Sequence, residues 1–311
     1  LYLVVMIVIA MILQFYVMGR KRFDFLGTGT EQVMPKKAGP AVTGLLSVIT
    51  GVFSLIALGI PIGSNFIMSF SDSFSIERFR FTLANYQNVL QPDGTLLAGV
   101  KNCLRLAAVA AVIGLMIGFA VAYILTYSQF KLKRLIDMLT LIAMAVPGVV
   151  LGIGYIFVWN QKWLQPLGLN LYGKPEILIL ASVASAIPLI NRVLEGGMSK
   201  VPQELLTASQ VQGAGLFRRL RTVLLPLLHS SMVSAVLAAF GGSVFNLAIT
   251  TILYPPNYST LPVYISDAYN DLNFGYSAAA TIVGGTFIVA IMLLLEVLLN
   301  LGKRKRNADY T

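Results

Sequence analysis

The chain has 311 residues, 57% of them apolar and only 12% charged, with a mean hydropathy of +0.78. Soluble domains carry nearer a quarter charged residues, so a soluble globular protein is excluded, and continuous apolar runs in place of short alternating segments exclude a β-barrel. The net charge of +10 is the surplus expected on the inner-face loops of a polytopic α-helical membrane protein and does not require nucleic acid as a partner.

The first apolar run, Leu1 to Met18, ends in Gly19-Arg-Lys-Arg22, and a polar, basic linker continues to residue 43. The chain opens inside apolar sequence, without the basic start and small-residue cleavage site of a secretory leader. This points to a fragment, or to the second half of a longer chain. A second span covers Gly44 to Phe70 and contains Pro61. A long polar segment, Ser71 to Lys101, precedes the third span, Asn102 to Tyr127. After a short basic turn (Lys131, Lys133, Arg134) comes Ile136 to Trp159, interrupted at Pro147-Gly148. A loop from Asn160 to Pro175 leads into Glu176 to Leu194, which contains Pro188. A polar insert occupies Glu195 to Leu225, followed by a span from Leu227 to Leu253. A loop with Pro255-Pro256, Asp267 and Asp271 separates that span from the last, Tyr276 to Leu301, and a basic tail fills 302–311. Each run approaches or exceeds the ~20 residues needed to cross hydrocarbon. Prolines inside spans predict kinks, which helix bundles tolerate because neighbours satisfy the freed carbonyls.

Seven alternating spans place 17 of the 23 basic residues on one side, including Arg192, Lys200, Arg218, Arg219, Arg221 and the tail. That side is predicted to be cytoplasmic, with the Asp267/Asp271 loop outside.

No HExxH, GxSxG or GxxxxGK[ST] pattern is present, so the chain has no phosphate-cradling loop of its own. The single histidine, His229, excludes an imidazole metal cluster, and the single cysteine, Cys103, excludes an intrachain disulfide. Ionisable residues within spans usually mark ion paths, and here they are nearly missing. Glu296 can snorkel to the interface, and Asp137 and Arg105 sit at span ends. An ion-coupled secondary carrier or channel, the alternative reading, would need such groups near the midplane. Energy for transport is therefore expected from outside this chain, which carries no catalytic constellation.

The polar insert is the most informative segment. Pro202 suits a helix start, and Glu204 lies where the helix dipole favours an acid. Leu205, Ala208 and Gln212 share one stripe, with Leu206 and Val211 off it, and Gly213-Ala-Gly215 supplies a turn. Phe217, Leu220 and Leu224 then recur at helical spacing among arginines, as on a helix lying along an interface, until Pro226. On these features alone the segment is either a docking helix or a connector against lipid headgroups.

The segment resembles the EAA loop of binding-protein-dependent ABC transporter permeases, the MetI-like family. That pattern is EAA, three residues, Gly, nine residues, Ile, one residue, Leu-Pro. Here Thr207-Ala208-Ser209, Gly213, Val223 and Leu225-Pro226 stand at those positions, with Thr207 where the family most often has Glu. Pro147-Gly-Val-Val-Leu-Gly-Ile-Gly154 is similar to the third core span of the ferric-iron branch, whose members often fuse two six-span halves through a basic linker.

The resemblance implies a MetI-like six-helix core over 44–301, with the EAA loop at 195–226 and Leu1–Met18 as the last span of a preceding half. It implies two permease halves or copies around a pathway, a separate ATPase dimer that binds ATP and Mg, and an extracytoplasmic solute-binding protein, all in a bacterial inner membrane. No cofactor or metal is implied in this chain. Glu204, Leu205, Thr207, Ala208, Ser209, Gln212, Gly213, Arg218, Arg219 and Pro226 are the implied coupling residues, the arginines contacting the partner or lipid. Iron permeases often carry an acid near the last loop, where this chain has Asn246 and none. Asn246, Thr250 and Thr251 are either pathway candidates or helix–helix hydrogen-bonding residues, the commoner use of such side chains in bundles, and the solute is expected to be ferric iron or a small anion such as a phosphonate.

Overall fold

The computed structural model describes residues 39–72, 80–91 and 95–308, with side chains to residue 300. The Leu1–Met18 run and the basic residues from Arg20 to Lys37 lie outside the described residues. Among the described residues every regular element is helical, and the single bridge, Ser71 to Phe81, is isolated.

Four helices are long and apolar enough to cross a membrane: α1 (Pro40–Ser69), α3 (Thr95–Tyr127), α6 (Pro175–Met198) and the Phe274–Asn300 part of α12 (Phe274–Ala308). A short α2 (Ala84–Val89) lies between the first two. Two further candidates are bent pairs. α4 (Lys133–Ala145) and α5 (Gly148–Trp159) meet at 108°, and α8 (Leu216–Leu227) and α9 (His229–Val244) meet at 77°. Between α6 and α8 stands α7 (Gln203–Val211), and after α9 come α10 (Leu247–Leu253) and α11 (Leu261–Asn270).

Proline chemistry explains most of the boundaries. Pro40 and Pro175 open helices, where the missing N–H is one of the unpaired groups in any case. Pro61 and Pro226 are each preceded by one wide turn, Leu55–Gly59 and Leu220–Leu224, in which an N–H reaches back five residues. Such a turn absorbs the clash a proline ring makes with the carbonyl four residues earlier. Pro188 lies inside α6 without ending it. Pro147 does more than kink a span: it caps α5 with extended backbone and separates it from α4.

The centre of the bundle is α3 packed on α6, with α9 against both. Lipid offers no hydrophobic drive between helices, so close approach through small residues supplies the attraction. Ala107, Ala110, Gly114, Gly118 and Ala122 of α3 are buried, as are Ala181 and Ala186 of α6 and Ala235 and Ala239 of α9. A Cβ on Gly118 would lie 2.7 Å from Ile190 Cγ2.

Two sequence expectations need correction. The span drawn from Leu227 to Leu253 is two helices, α9 and α10, broken at Phe245–Asn246. α10 packs on α5: Cβ atoms on Gly148 and Gly152 would lie 3.0 Å from Ala248 Cβ and 3.1 Å from Ile252 Cγ2. The expected loop after residue 253 contains α11, which opens at Thr260-Leu261-Pro262 and buries Leu261, Val263 and Ala268. The Asn102 amide donates to Ser259 O at 2.9 Å and Leu261 N donates to Cys103 Sγ at 3.1 Å, fixing that segment to α3.

Candidate coupling surface

α6 runs on to Met198, past the predicted span end at Leu194, and a tight turn at Ser199-Lys200 leads into α7. Pro202 sits at the N-cap in extended backbone (φ −59°, ψ 139°), and Glu204 lies in the first turn. The far end closes on Gly213, at φ +78°. Its N–H donates to Gln210 O at 2.9 Å, and Ala214 N–H donates to Ser209 O at 3.1 Å. This is the paired-carbonyl closure that a left-handed glycine permits.

α7 is anchored by Leu206, 5% exposed, which joins Leu194, Met198, Val201, Leu224 and Leu228 in one apolar cluster. The Tyr127 hydroxyl lies 2.8 Å from Met198 O and 3.1 Å from Val201 O, so the end of α3 holds the turn that launches α7. Leu206, which the stripe analysis set aside, is thus the inward residue. Deleting its buried methyls is expected to cost about 2–5 kcal/mol. Leu206→Ala should lower the melting temperature of the detergent-solubilised protein clearly, and Leu205→Ala, at a site 46% exposed, should barely move it.

The opposite side is open. Glu204, Leu205, Thr207, Ala208 and Gln212 are all exposed, with Val211 84% and Phe217 76% exposed beside them. Two hydroxyls serve the helix itself: Thr207 Oγ1 donates to Gln203 O at 3.2 Å and Ser209 Oγ to Leu206 O at 2.9 Å. Arg219 Nη1 donates to Gln210 Oε1 at 2.9 Å, tying α8 to α7, and Arg218 stays exposed. The expected Phe217, Leu220 and Leu224 stripe is split, because the wide turn before Pro226 rotates Leu224 into full burial and leaves Phe217 outside.

One cluster near this surface was missed. Arg192 pairs through Nη2 with Asp137 of α4 and through Nη1 with Glu195 Oε2 at 2.8 Å. The Arg192/Glu195 spacing was visible in the sequence, but no local signal linked either to Asp137.

The pathway candidates sit at the α9–α10 break. Asn246 Oδ1 accepts from Ile249 N at 3.1 Å as the α10 N-cap. Thr250 is buried with its hydroxyl on Asn246 O, and Thr251 is exposed with its hydroxyl on Leu247 O at 2.8 Å. Among the described residues no group of three or more His, Cys, Asp or Glu side chains is placed to hold a metal ion.

Residues 112–306, which include all of α7 and α8, match the family model described as "Binding-protein-dependent transport system inner membrane component". The permease protein PhnV of Salmonella paratyphi A, named for a 2-aminoethylphosphonate transport system, is 29% identical over 251 residues, covering 80% of this chain and 90% of PhnV. The ferric transport system permease protein FbpB of Actinobacillus pleuropneumoniae is 25% identical over 236 residues, 75% of this chain and 33% of FbpB. Among solved structures, a bacterial ABC transporter involved in the import of the acidic polysaccharide alginate has the same fold. It aligns with a TM-score of 0.65 at 15% identity, covering 85% of this chain and 96% of that one.

Proposed function

This chain belongs to the family of binding-protein-dependent transport system inner membrane components; it is a multi-pass permease of an ABC importer of that class, and we propose that α7 is where a separate ATP-hydrolysing subunit grips it. The observation that carries this reading is the two-sided character of α7. Leu206 locks one side into the bundle, and Glu204, Leu205, Ala208 and Gln212 stand outward. A helix fixed to the core but uncovered on its outer side can pass an imposed displacement inward. Arg218 and Arg219 flank it as contacts to that subunit or to lipid headgroups. The permease itself is non-catalytic on this reading, with ATP and Mg bound by the partner. The excess of basic residues on the α7 side supports a cytoplasmic position for that loop and the C-terminus.

The solute class that fits best is a small phosphonate-type anion. PhnV matches along nearly its whole length, and the α9–α10 break presents Asn246 and Thr251 with no acid in that stretch. Ferric iron is the second reading, favoured by the FbpB match. The test is uptake into liposomes carrying the permease, its ATPase and a solute-binding protein. ATP-dependent accumulation of radiolabelled 2-aminoethylphosphonate supports the first reading, and ATP-dependent accumulation of ferric iron alone supports the second. Uptake that persists without ATP and without the ATPase would replace both with an ion-coupled carrier or channel.

A further inference from the structure

We infer that Asp137, Arg192 and Glu195 form a latch that carries movement of α7 to the bent pair α4–α5. The inference rests on the reading of α7 as the grip of an ATP-hydrolysing subunit. No other ion pair is formed among the described residues. The cluster lies where such a link would have to be. Arg192 and Glu195 are in the last two turns of α6, directly before the turn into α7, and Asp137 is in the first turns of α4.

The rest of the connection is continuous. α4 ends at the 108° bend before Pro147, and α5 begins there, seated on α10 through Gly148 and Gly152. α10 opens at Asn246, so a shift of Arg192 reaches the pathway candidates by way of α4 and α5. It need not pass through the α3–α6 contact, where a Cβ on Gly118 would lie 2.7 Å from Ile190 Cγ2.

The inner end of α6 also lacks a fully satisfied arrangement. Asn191 is 0% exposed with neither amide atom hydrogen-bonded, and Arg192 Nε is buried and unpaired. A buried polar group without a partner is destabilising, and natural folds leave few of them. An α6 end that pairs these atoms in a second packing gives the two arrangements a switch requires. The three charged side chains are half-buried, where an ion pair keeps a preferred geometry yet can re-form.

The experiment uses the full permease co-expressed with its ATPase and purified as the complex. Asn160→Cys, at the exposed polar end of α5, serves as reporter, and native Cys103, 2% exposed, is the internal control. Its labelling rate with N-ethylmaleimide is compared with and without trapping by ATP and vanadate. The expected result is a change of about fivefold on trapping, the lower range of typical coupling between sites. That change should be lost in Asp137→Asn and Arg192→Gln and retained in Asp137→Glu, with ATP hydrolysis persisting in all three. A trapping response that survives Asp137→Asn overturns the latch, as does an unresponsive reporter in the unsubstituted complex. Failure of both neutral variants to assemble, with Asp137→Glu intact, makes the cluster a static staple and overturns it too. Absence of any ATPase in the unsubstituted preparation is a different outcome, which defeats the reading of α7 and the latch with it.

Discussion

Gly213→Pro is expected to leave the chain inserted in the membrane but unable to hold an ATP-hydrolysing subunit. Gly213 sits at φ +78°, and proline is confined near −65°. The substitution also removes the N–H that donates to Gln210 O at 2.9 Å, and it displaces the Ala214 N–H to Ser209 O bond. The last turn of α7 then unwinds, taking with it Ala208, Gln212 and the Arg219–Gln210 tie. The membrane helices do not depend on that turn, so insertion should persist. The milder series isolates the cause. A Cβ added at Gly213 meets nothing within 4 Å, so Gly213→Ala carries only the left-handed backbone cost of roughly 1–2 kcal/mol, and Gly213→Asn should cost less. Co-purification of the ATPase and ATP hydrolysis by the complex are the measurements. Loss should rank proline, alanine, asparagine, and a proline variant with a full-strength complex would refute the role assigned to this turn.

The apolar runs were legible because hydrocarbon thickness sets a length that composition reveals directly. The turn at Gly213 was legible because a left-handed residue after a helix selects glycine. The orientation of α7 was not: Leu205 and Leu206 are adjacent leucines on a weakly two-sided helix, and only the apolar cluster around Leu224 and Leu228 decides which one turns inward. The α4–α5 break could be read from Pro147-Gly148, but its 108° angle follows from Gly148 and Gly152 packing on α10, 100 residues later. The α9–α10 break has no proline to announce it. Its signal was Asn246, a good N-cap residue, where the sequence reading weighed only a pathway group against a helix–helix hydrogen bond. α11 had a start signal as well, Thr260 followed by Pro262, overshadowed by Pro255-Pro256 and two acids. The Asp137–Arg192 pair joins residues 55 apart, a separation at which sequence alone offers no pairing rule.

Gly197→Val is expected to prevent the α6–α9 contact from forming and to leave little folded permease. Gly196→Val, one residue away, should be tolerated. A Cβ on Gly197 would collide with Ser231 Oγ and lie 2.8 Å from Ser231 Cβ, with Leu228 Cδ2 at 3.2 Å. The Ser231 hydroxyl can rotate away, but its Cβ is fixed to the α9 backbone, so relief requires moving α9 itself. Overpacking a well-filled core costs typically about 1–3 kcal/mol. Here the displaced residues include Leu228, which stands between α8 and α9 and is 1% exposed. The same shift pulls on the cluster that holds Leu206, so α7 should lose its seat along with the helix pair. Gly196 faces open space, with nothing within 4 Å of an added Cβ, and a side chain there should even gain helix propensity over glycine, by up to about 1 kcal/mol for alanine. Yield of monodisperse protein by size exclusion, together with its melting temperature, separates the two variants. Ser231→Gly removes both offending atoms, so adding it to Gly197→Val should recover part of the folded fraction. Equal yields of the two valine variants, or no recovery in the double variant, would show that α6 and α9 do not approach each other at this point.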